Sequence, residues 1–445
     1  MTTEKTQQNH SQPQWMRTRE PAQAVRDVKA LFAEHFSDEA EGVWSAPGRV
    51  NLIGEHVDYA GGICLPFALS QRTFVAARVN EDGVYRIVSR WAKGVTIAEV
   101  PIGDVRPAQA GSAGNPADWT GYVAGTIWAA YHNGTIPGPA TGFDIAIESD
   151  VPVGAGLSSS AAIECSTALA AWEISTGNVL SEQSAEVQST VLGGLRAASI
   201  TAENDVVGAS TGGLDQTVAL FGQSGHALAI DFAEDSREQV EFDIATRGLA
   251  VLVINTNAPH QLADGQYAAR RAVTDGVAAD LGVPTLRQAP DAAERYQVWA
   301  DREWQSWPAE KQKETSREQW RSTVAARVRH VETEIARTAQ AIRALRAEDF
   351  PLLGELMQAS HASLRDDYEV TVPELDLAVE QAMHHGALGA RMTGGGFGGS
   401  AIALLATSTA DDVVSAIASS FADANFRAPE FAIAIPGAGA RREPK

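Results

Sequence analysis

The sequence predicts an α+β fold with two domains. Three observations support this prediction: the early strand-like runs are joined by links of hairpin length, helices are interleaved with them, and the last part of the chain alternates helix and strand as a split βαβ unit. A chain of 445 residues is long enough for two domains. We expect an N-terminal domain at residues 21–225 and a C-terminal domain at residues 226–445, with the break between the halves near residues 215–245.

The polar N-terminus and the cysteines indicate the compartment. Residues 1–20 contain no apolar run, so we expect a flexible tail rather than a signal peptide. Elsewhere no stretch approaches the ~20 uninterrupted apolar residues that a transmembrane helix requires, so we expect no membrane association. Cys64 and Cys165 both lie among apolar residues, which favours free thiols in a reducing environment. We therefore predict a cytoplasmic protein, and we expect it to be a monomer.

The net charge excludes one class of partner. It is formally −21 at pH 7, whereas binding to nucleic acid needs a basic face that neutralises phosphates. We therefore expect no nucleic-acid partner. An anionic ligand must instead be held by local positive potential, from helix amides, a metal ion or Arg49.

Apolar periodicity predicts the elements of the N-terminal half. An amphipathic helix is expected at residues 21–36, where Val25, Val28, Leu31 and Phe32 fall on one side. The other expected helices are 119–131, 160–176 and 184–204, the expected strands are 43–53, 73–79, 84–90 and 95–100, and a polar loop is expected at 107–118.

The C-terminal half is predicted in the same way. Its expected strands are 216–221, 226–231, 249–256, 399–405 and 430–435, and its expected helices are 374–385 and 410–425. Residues 285–346 are charged and rich in alanine, which predicts helices. The tryptophans of this segment favour packing on the protein body over an aromatic platform for a sugar; they are Trp299, Trp304, Trp307 and Trp320.

Residues 47–62, PGRVNLIGEHVDYAGG, combine a buried-strand pattern with a dense set of polar groups. The polar groups are those of Arg49, Glu55, His56 and Asp58. A carboxylate accepts hydrogen bonds from vicinal hydroxyls, and an imidazole can accept or donate one. Polar groups held on a rigid strand and turn suit a sugar better than an apolar metabolite.

Residues 152–162, PVGAGLSSSAA, form a glycine- and serine-rich loop that opens a predicted helix. Gly154 and Gly156 allow the backbone to approach a ligand closely. The free amides of the first helical turn and the positive end of the helix dipole form an anion site, for which phosphate is the natural ligand. Taken alone, the serines of this loop favour a simpler role as helix caps.

Residues 389–405, GARMTGGGFGGSAIALL, run from a glycine-rich turn into an apolar stretch. Gly394, Gly396 and Gly399 match the pattern G-x-G-x-x-G, which in dinucleotide-binding proteins lies between a strand and a helix. Here the following residues, 400–405, predict a strand. We therefore reject dinucleotide binding.

These three segments resemble the signatures of the galactokinases, members of the GHMP small-molecule kinases. The matches extend from about residue 44 to residue 405 and cover most of the chain. GHMP kinases pair an N-terminal domain like that of a ribosomal protein with a ferredoxin-like C-terminal domain, and their active site lies between the two. The resemblance implies the same architecture here.

The resemblance also implies ATP-dependent phosphorylation of galactose at its anomeric hydroxyl, with Mg²⁺ as cofactor and galactose and ATP as small-molecule partners. Asp215, in GASTGGLDQTVAL, is the implied catalytic base. Arg49 is the implied cation beside it, which stabilises charge on the migrating phosphoryl group. Ser160 and Glu203 are the implied metal ligands, because the family places a glutamate twelve residues before its catalytic aspartate.

Further site residues follow from the resemblance. The implied sugar-binding residues are Glu55, His56, Val57, Asp58, Gly213 and Tyr267. The implied phosphate-binding residues are Gly154, Ala155, Gly156, Leu157, Ser158, Ser159 and Ser160. Trp119, in DWTGYVAG, matches an aromatic residue that flanks adenine in relatives, and Ser89 is a second candidate for the nucleotide site.

Two alternatives to galactose phosphorylation stay open. Val57 and Ala60 stand where the family usually has threonine and asparagine, so a related sugar 1-kinase acting on N-acetylgalactosamine, arabinose or galacturonate is possible. A non-catalytic sugar sensor on the same scaffold predicts a lost catalytic residue, whereas Arg49, Glu203 and Asp215 are all present. Nucleotide hydrolases with a lysine-containing phosphate loop and zinc enzymes are excluded, because their sequence signatures are missing.

Overall fold

The computed structural model describes residues 13–90, 97–109, 113–209, 211–258, 263–289 and 291–444. Its strands, in chain order, are β1 (Gln14–Trp15), β2 (Gly42–Asn51), β3 (Ile63–Cys64), β4 (Pro66–Asn80), β5 (Val84–Ser89), β6 (Ala98–Pro101), β7 (Gly142–Ser149), β8 (His226–Asp231), β9 (Ser236–Glu241), β10 (Leu249–Asn255), β11 (Gly389–Thr393), β12 (Ser400–Ala406), β13 (Glu430–Ala434) and β14 (Arg441–Arg442).

The helices alternate irregularly with these strands, as an α+β fold requires. They are α1 (Pro21–His35), α2 (Thr120–His132), α3 (Ser159–Thr176), α4 (Ala185–Thr201), α5 (Leu214–Phe221), α6 (Ala263–Asp280), α7 (Ala292–Arg295), α8 (Gln297–Ser306), α9 (Ala309–Glu314), α10 (Arg317–Arg346), α11 (Phe350–Asp366), α12 (Pro373–His384) and α13 (Ala410–Asp423). A π-helical turn at Ala202–Val207 continues α4.

The N-terminal sheet has the strand order β14-β2-β4-β7-β5-β6 and is antiparallel except between β5 and β7. Strand β4 shows how helices cover both of its faces. Val75 and Ala77 pack with side chains of α2 and α3, whereas Phe74 and Ala76 pack with α1. Because successive side chains of a strand point to opposite faces, both faces of this sheet are apolar.

The C-terminal sheet has the order β1-β13-β10-β12-β11. Strand β10 alternates in the same way. Leu252 and Ile254 pack with α12 and α13, whereas Val251 and Val253 pack with α10 and α11. A third, smaller sheet of order β3-β8-β9 joins the turn after β2 to the start of the C-terminal half. The predicted domain boundary at 225/226 remains a prediction.

Each end of the chain adds a strand to the sheet of the other half. Strand β1 pairs in parallel with β13, and β14 pairs antiparallel with β2. Arg19 forms an ion pair with Asp150 at 2.7 Å and is 8% exposed. The expectation of a flexible tail at residues 1–20 is therefore wrong for residues 13–20, because strand pairing and a buried ion pair hold them. Residues 1–12 lie outside the described residues.

Most predicted elements are confirmed to within a few residues, which is the usual uncertainty of element ends. The strand predicted at 73–79 begins earlier, at Pro66. The predicted strand at 95–100 is described only from Ala98 onward, and residues 110–112 of the predicted loop lie outside the described ranges. The elements that were not predicted are strands β1, β3, β7, β9, β11 and β14 and helices α6 and α11. Helix α6 contains Gly265 and Gly276, and glycine weakens the helical signal.

The strand predicted at 216–221 is wrong, because Leu214–Phe221 form helix α5. A short apolar run does not distinguish a buried strand from a buried helix. Gly213, with a φ of 93°, turns the chain at the N-cap. Its carbonyl oxygen then accepts hydrogen bonds from the amide and the hydroxyl of Thr217, which closes the first helical turn.

The tryptophans of the 285–346 segment pack among themselves and on the core, as predicted. The Trp320 ring lies 6.1 Å from that of Trp299 and 4.8 Å from that of Trp307, between ring centroids. Trp304 donates its indole N–H to the carbonyl oxygen of Thr315 at 2.9 Å. Among the described residues, no helix combines the length and the apolar character needed to cross a membrane.

Replacement of two helical glycines by alanine should change the free energy of unfolding in opposite directions. A Cβ on Gly354 of α11 would lie 2.2 Å from the carbonyl oxygen of Leu388, whereas a Cβ on Gly193 of α4 would meet nothing within 4 Å. We expect Gly354→Ala to lower the free energy of unfolding by about 1–3 kcal/mol through overpacking. Gly193→Ala should raise it by about 0.5–1 kcal/mol, because alanine is the better helix former. Urea unfolding of both variants tests this, and equal effects would contradict the close contact between α11 and β11.

Candidate active site

A bulge in β2 places Arg49 against the predicted phosphate loop, residues 154–160. Strand β2 then leads into residues 52–62, the sugar turn, which ends at β3. The register between β2 and β4 shifts between Pro47 and Arg49, and a bulge re-aims the side chain beside it. The amide of Arg49 donates to the carbonyl oxygen of Leu157 at 3.0 Å. Its guanidinium donates to the carbonyl oxygen of Gly156 at 2.6 Å. The bulge therefore fixes Arg49 against the loop that precedes α3.

Asp215 is the partner of this guanidinium. A terminal nitrogen of Arg49 lies 2.8 Å from the Asp215 carboxylate. The hydroxyl of Ser158 donates to the same carboxylate at 2.5 Å. Asp215 lies in the first turn of α5, where the helix dipole stabilises a negative charge. The predicted pairing of Asp215 with Arg49 is present in the structure.

Ser158 does not cap α3. It occupies the N-cap position with a φ of 61°, but its side chain makes no capping hydrogen bond. The alternative that the serines merely cap the helix is therefore wrong for Ser158, because its hydroxyl is directed to Asp215. Gly154 and Gly156 have φ values of 75° and 72°, and these left-handed conformations let the loop curl in front of α3.

The glycine-rich segment 394–399 packs directly on the phosphate loop. A Cβ on Gly394 would lie 2.8 Å from the carbonyl oxygen of Gly156. The hydroxyl of Ser400 donates to the carbonyl oxygen of Ala155 at 2.6 Å. Strand β12 follows this segment, so the strand predicted after the glycines is confirmed where a dinucleotide-binding motif would have a helix. Only glycine permits the two backbones to approach this closely.

Glu203 and Ser160 lie side by side. The hydroxyl of Ser160 donates to the Glu203 carboxylate at 3.0 Å. Thr211 and Gln216 donate to the other oxygen of Glu203, at 3.0 and 2.5 Å. Burial raises the pKa of Glu203, and the charge of Asp215 adds to this. These are hard oxygen ligands, of the kind that Mg²⁺ prefers.

Glu55 is buried in the sugar turn and held by a buried cation. Its carboxylate accepts hydrogen bonds from Asn51 at 3.1 Å and from Arg391 at 3.2 Å. Arg391 is 0% exposed and was not predicted as part of the site. Burial raises the pKa of Glu55, although Arg391 and Arg49 oppose the shift.

His56 has partners at both ring nitrogens, and they define its tautomer. Nε2 lies 3.1 Å from the carbonyl oxygen of Gly395, and a carbonyl only accepts, so Nε2 carries the proton. Nδ1 lies 3.1 Å from the hydroxyl of Tyr59. Burial lowers the pKa of His56 to about 3, so Nδ1 accepts from Tyr59. His56 therefore shapes the site while its two nitrogens bind protein groups.

Asp58 is a half-buried carboxylate at the other side of the turn. Burial raises its pKa to about 6, opposed by a backbone hydrogen bond from Tyr59 and assisted by the charges of Asp215 and Glu55. Tyr267 of α6 completes this side, with its ring centroid 5.1 Å from that of His56. A Cβ on Gly212 would overlap the Asp58 carboxylate, so the backbone is in contact with it.

A cavity of about 360 Å³ joins these groups. The predicted site residues that line it are Arg49, Glu55, His56, Asp58, Gly156, Glu203, Gly213, Asp215 and Tyr267. Lining residues that were not predicted include Tyr122, Thr211, Gly395 and Phe397. Tyr122 follows the predicted Trp119 by three positions, so one turn of a helix connects the two. Segments that are remote in the sequence thus converge on one cleft.

Other predicted residues lie away from the lining of this cavity. They are Val57, Ser89, Trp119, Gly154, Ala155, Leu157, Ser158, Ser159 and Ser160. Val57 is fully buried in the core, and its carbonyl oxygen accepts hydrogen bonds from the amides of Ala60 and Gly62. Ser89 ends β5 and is buried, and its hydroxyl has no hydrogen-bond partner among the described residues. Trp119 is partly buried against the core of the N-terminal sheet.

Comparison with known proteins identifies the family of the chain that forms this cleft. Family models match the chain at residues 30–79 (galactokinase galactose-binding signature), 121–223 (GHMP kinases N terminal domain) and 341–423 (GHMP kinases C terminal). The galactokinase of Streptomyces coelicolor is 39% identical over 417 residues, covering 93% of this chain and 97% of that relative. This chain belongs to the galactokinase family of the GHMP kinases. Human galactokinase is 37% identical over 396 residues, covering 89% and 91% of the two chains.

Solved structures agree with this family membership. The structure of Lactococcus lactis galactokinase complexed with galactose superposes with a TM-score of 0.77 at 29% identity, covering 94% of this chain and 100% of that one. The L. major mevalonate kinase structure, at 18% identity and a TM-score of 0.54, shares the fold alone. The predicted two-domain GHMP kinase fold is confirmed.

The tautomer of His56 is open to a direct test. Because burial lowers its pKa to about 3, the ring should stay neutral and protonated at Nε2 between about pH 5 and 8, across the range where a free histidine titrates. Nitrogen-15 NMR of the imidazole, assigned with a His56→Asn variant, measures this. A doubly protonated ring at pH 6 would contradict the hydrogen-bond chain from Tyr59 to Gly395.

Proposed function

We propose that this galactokinase-family enzyme transfers the γ-phosphoryl group of ATP to the anomeric hydroxyl of galactose, giving galactose 1-phosphate and ADP. The observation that carries the proposal is the position of the Asp215 carboxylate. It lies at the cavity between Arg49, the phosphate loop and the buried polar groups of the sugar turn. A hydroxyl bound beside Asp215 therefore faces the site for phosphate.

The sugar side of the cavity suits a polyhydroxy ligand. Glu55 and Asp58 supply carboxylate oxygens that accept hydrogen bonds from hydroxyl groups. His56 and Tyr267 supply ring surfaces, and the backbone of Gly213 lies at the same wall. We propose that Glu55 and Asp58 are the principal acceptors for galactose, because both nitrogens of His56 already have protein partners.

The phosphate side is formed by residues 154–160 and the N-terminus of α3. The amides of a first helical turn have no partner within the helix, and the dipole favours an anion there. We propose that this loop binds the triphosphate and that Trp119 and Ser89 lie at the adenine end. The buried Ser89 hydroxyl, which lacks a partner among the described residues, supports its assignment.

Ser160 and Glu203 fit the binding of Mg²⁺ that the family implies. Their oxygens are 3.0 Å apart, and Glu203 faces the cavity. In the described part of the chain, no group of three or more acidic, histidine or cysteine side chains could hold a metal ion. ATP phosphates and water would therefore supply the other ligands. A bound Mg²⁺ would neutralise charge on the phosphates.

Asp215 and Arg49 have different roles in the transfer reaction. Asp215 accepts the proton of the anomeric hydroxyl as the oxygen forms its bond to phosphorus and the bond to ADP breaks. Arg49 stabilises the charge that develops on the transferred group and holds Asp215 in place through the ion pair. Ser158 holds the second carboxylate oxygen of Asp215. The carboxylate is therefore directed at one position in the cavity.

The remaining expectations complete the proposal. We propose a domain division at residue 225/226, supported by the separate sheets of the two halves. We also propose that the enzyme acts as a cytoplasmic monomer. The free, buried thiols of Cys64 and Cys165 are compatible with a reducing compartment.

Replacement of Asp215 tests the proposal. Asp215→Asn should keep the fold and ATP binding but lower kcat by about 100-fold or more, because the proton acceptor is lost. The measurement is ADP release with galactose and with its C2 and C4 variants, together with thermal unfolding. Asp205→Asn removes an exposed carboxylate and serves as the control, with expected turnover close to the parent enzyme. Near-normal turnover by Asp215→Asn would remove Asp215 from the mechanism.

The pH dependence of galactose binding tests the role of Asp58. Its carboxylate has a pKa of about 6, so lowering the pH from 7 to 5 protonates it and removes a hydrogen-bond acceptor. The galactose KM should rise by roughly tenfold over that range, since one pH unit below the pKa leaves about a tenth ionised. The ATP KM should change little. Asp58→Asn should raise the galactose KM and flatten its pH profile. If the galactose KM of Asp58→Asn kept the pH profile of the parent enzyme, Asp58 would not be the titrating group, and Glu55 would take its place.

A further inference from the structure

The long helix α10 lies behind the sugar turn and presents a buried carboxylate to it. Glu334 is 0% exposed. One of its oxygens accepts hydrogen bonds from the amides of Gly54 and Glu55, at 3.0 and 3.3 Å, and from the hydroxyl of Ser360 at 2.6 Å. The other oxygen accepts from Arg337 at 2.9 Å. A single side chain therefore binds two successive peptide groups of the turn.

One turn of α10 earlier, His330 binds the same residue from its other end. Its Nε2 donates to the carbonyl oxygen of Glu55 at 3.1 Å, and its Nδ1 lies 2.9 Å from the hydroxyl of Ser363. His330 is also 0% exposed. The N–H and the C=O of Glu55 thus both have partners on α10, so the peptide groups on either side of this residue are held in orientation.

The turn needs such partners because its backbone is not in a sheet. Strand β2 ends at Asn51, and Gly54 has a φ of 94°. Backbone amides buried without a partner cost free energy comparable to a lost hydrogen bond. A Cβ on Gly54 would lie 2.5 Å from the carbonyl oxygen of Ile63, so the turn is also enclosed by β3.

The Glu334 carboxylate remains charged. Burial alone would raise the pKa of Glu334, but the neighbouring His330, Arg391 and Arg337 outweigh burial and lower it to about 2. An ionised carboxylate binds amide N–H groups more strongly than a neutral acceptor does. The side chain of Glu55 is fixed separately, by Asn51 and Arg391.

We propose that Glu334 and His330 are positioning residues for galactose, acting through the backbone of Glu55. The inference rests on the proposed function, because it assumes that the Glu55 carboxylate binds the sugar. Asn51 and Arg391 bind only the carboxylate end of the Glu55 side chain, whereas Glu334 and His330 hold the peptide groups on either side of its Cα. Without Glu334 and His330, these peptide groups can rotate and shift the point from which the Glu55 side chain starts. Neither residue lines the cavity, so neither is proposed to touch the substrate.

A double-mutant cycle between Glu334 and Glu55 tests the inference. Glu334→Ala should raise the galactose KM by about tenfold or more, the size of a lost hydrogen bond to a charged group. The ATP KM should stay within about twofold. Glu334→Gln keeps an acceptor oxygen for the turn and should restore most of the galactose affinity. In a Glu55→Gln background, Glu334→Ala should add less than about threefold, because the two residues act through one path.

Val324→Ala is the matched control for lost packing. Val324 is 0% exposed on the same helix, ten positions and about 15 Å of helix axis before Glu334. It should lower the Tm without changing the galactose KM. Three outcomes would overturn the inference in favour of a general structural role. Glu334→Ala could raise the galactose and ATP KM equally, or its effect could be fully additive with that of Glu55→Gln. Val324→Ala could also change the galactose KM as Glu334→Ala does.

If Glu334→Ala does not fold, His330→Asn gives an independent test. Asparagine is shorter than histidine, so its N–H group does not reach the Glu55 carbonyl oxygen. The galactose KM should therefore rise at least about threefold, with little change in the ATP KM. An unchanged galactose KM in this folded variant would overturn the inference. Failure of the proposed function is distinguishable, because the parent enzyme would then release no ADP with galactose before any variant is compared.

Discussion

The rest of the site depends on the contacts made by the guanidinium of Arg49. It joins the bulge of β2, the carbonyl of Gly156 in the phosphate loop and the carboxylate of Asp215 at the start of α5. Arg49 is 6% exposed, so its charge acts in a region of low dielectric, where electrostatic interactions are stronger than in water. The strand, the loop and the helix are therefore held in one geometry, and Asp215 faces the cavity with a fixed direction.

Close backbone packing supports this arrangement from the other half of the chain. Gly394 lies against Gly156 at a distance that leaves no room for a side chain, and Gly399 packs tightly on Ala155. The sugar turn is held in a different way, by side chains of α10 and β11. Glu334 binds its amides, and Arg391 binds the Glu55 carboxylate. The site thus combines backbone contact on its phosphate side with buried charge on its sugar side, and the C-terminal half contributes to both.

Several features of the site were predictable because their chemistry is local in the sequence. The residues Arg49, Glu55, His56 and Asp58 lie within one strand and turn, and the glycines of the phosphate loop precede a clear helical pattern. The roles of Asp215 and Glu203 came from the resemblance to a family, since a single carboxylate on a glycine-rich turn carries little signal. Part of helix α5 was predicted as a strand for a related reason: the six residues 216–221 form too short a run to distinguish the two periodicities.

The sequence by itself determined the class of fold, the family and most of the polar groups that face the cavity. Tertiary structure alone decided which buried groups orient them. Glu334, His330 and Arg391 lie far from the sugar turn in the chain, and buried polar residues on a helix look the same in sequence whether they serve packing or a distant turn. Only folding shows that their hydrogen bonds end on Gly54 and Glu55. The physical reason is that a hydrogen bond is specified by distance and direction in space, which residue order does not encode.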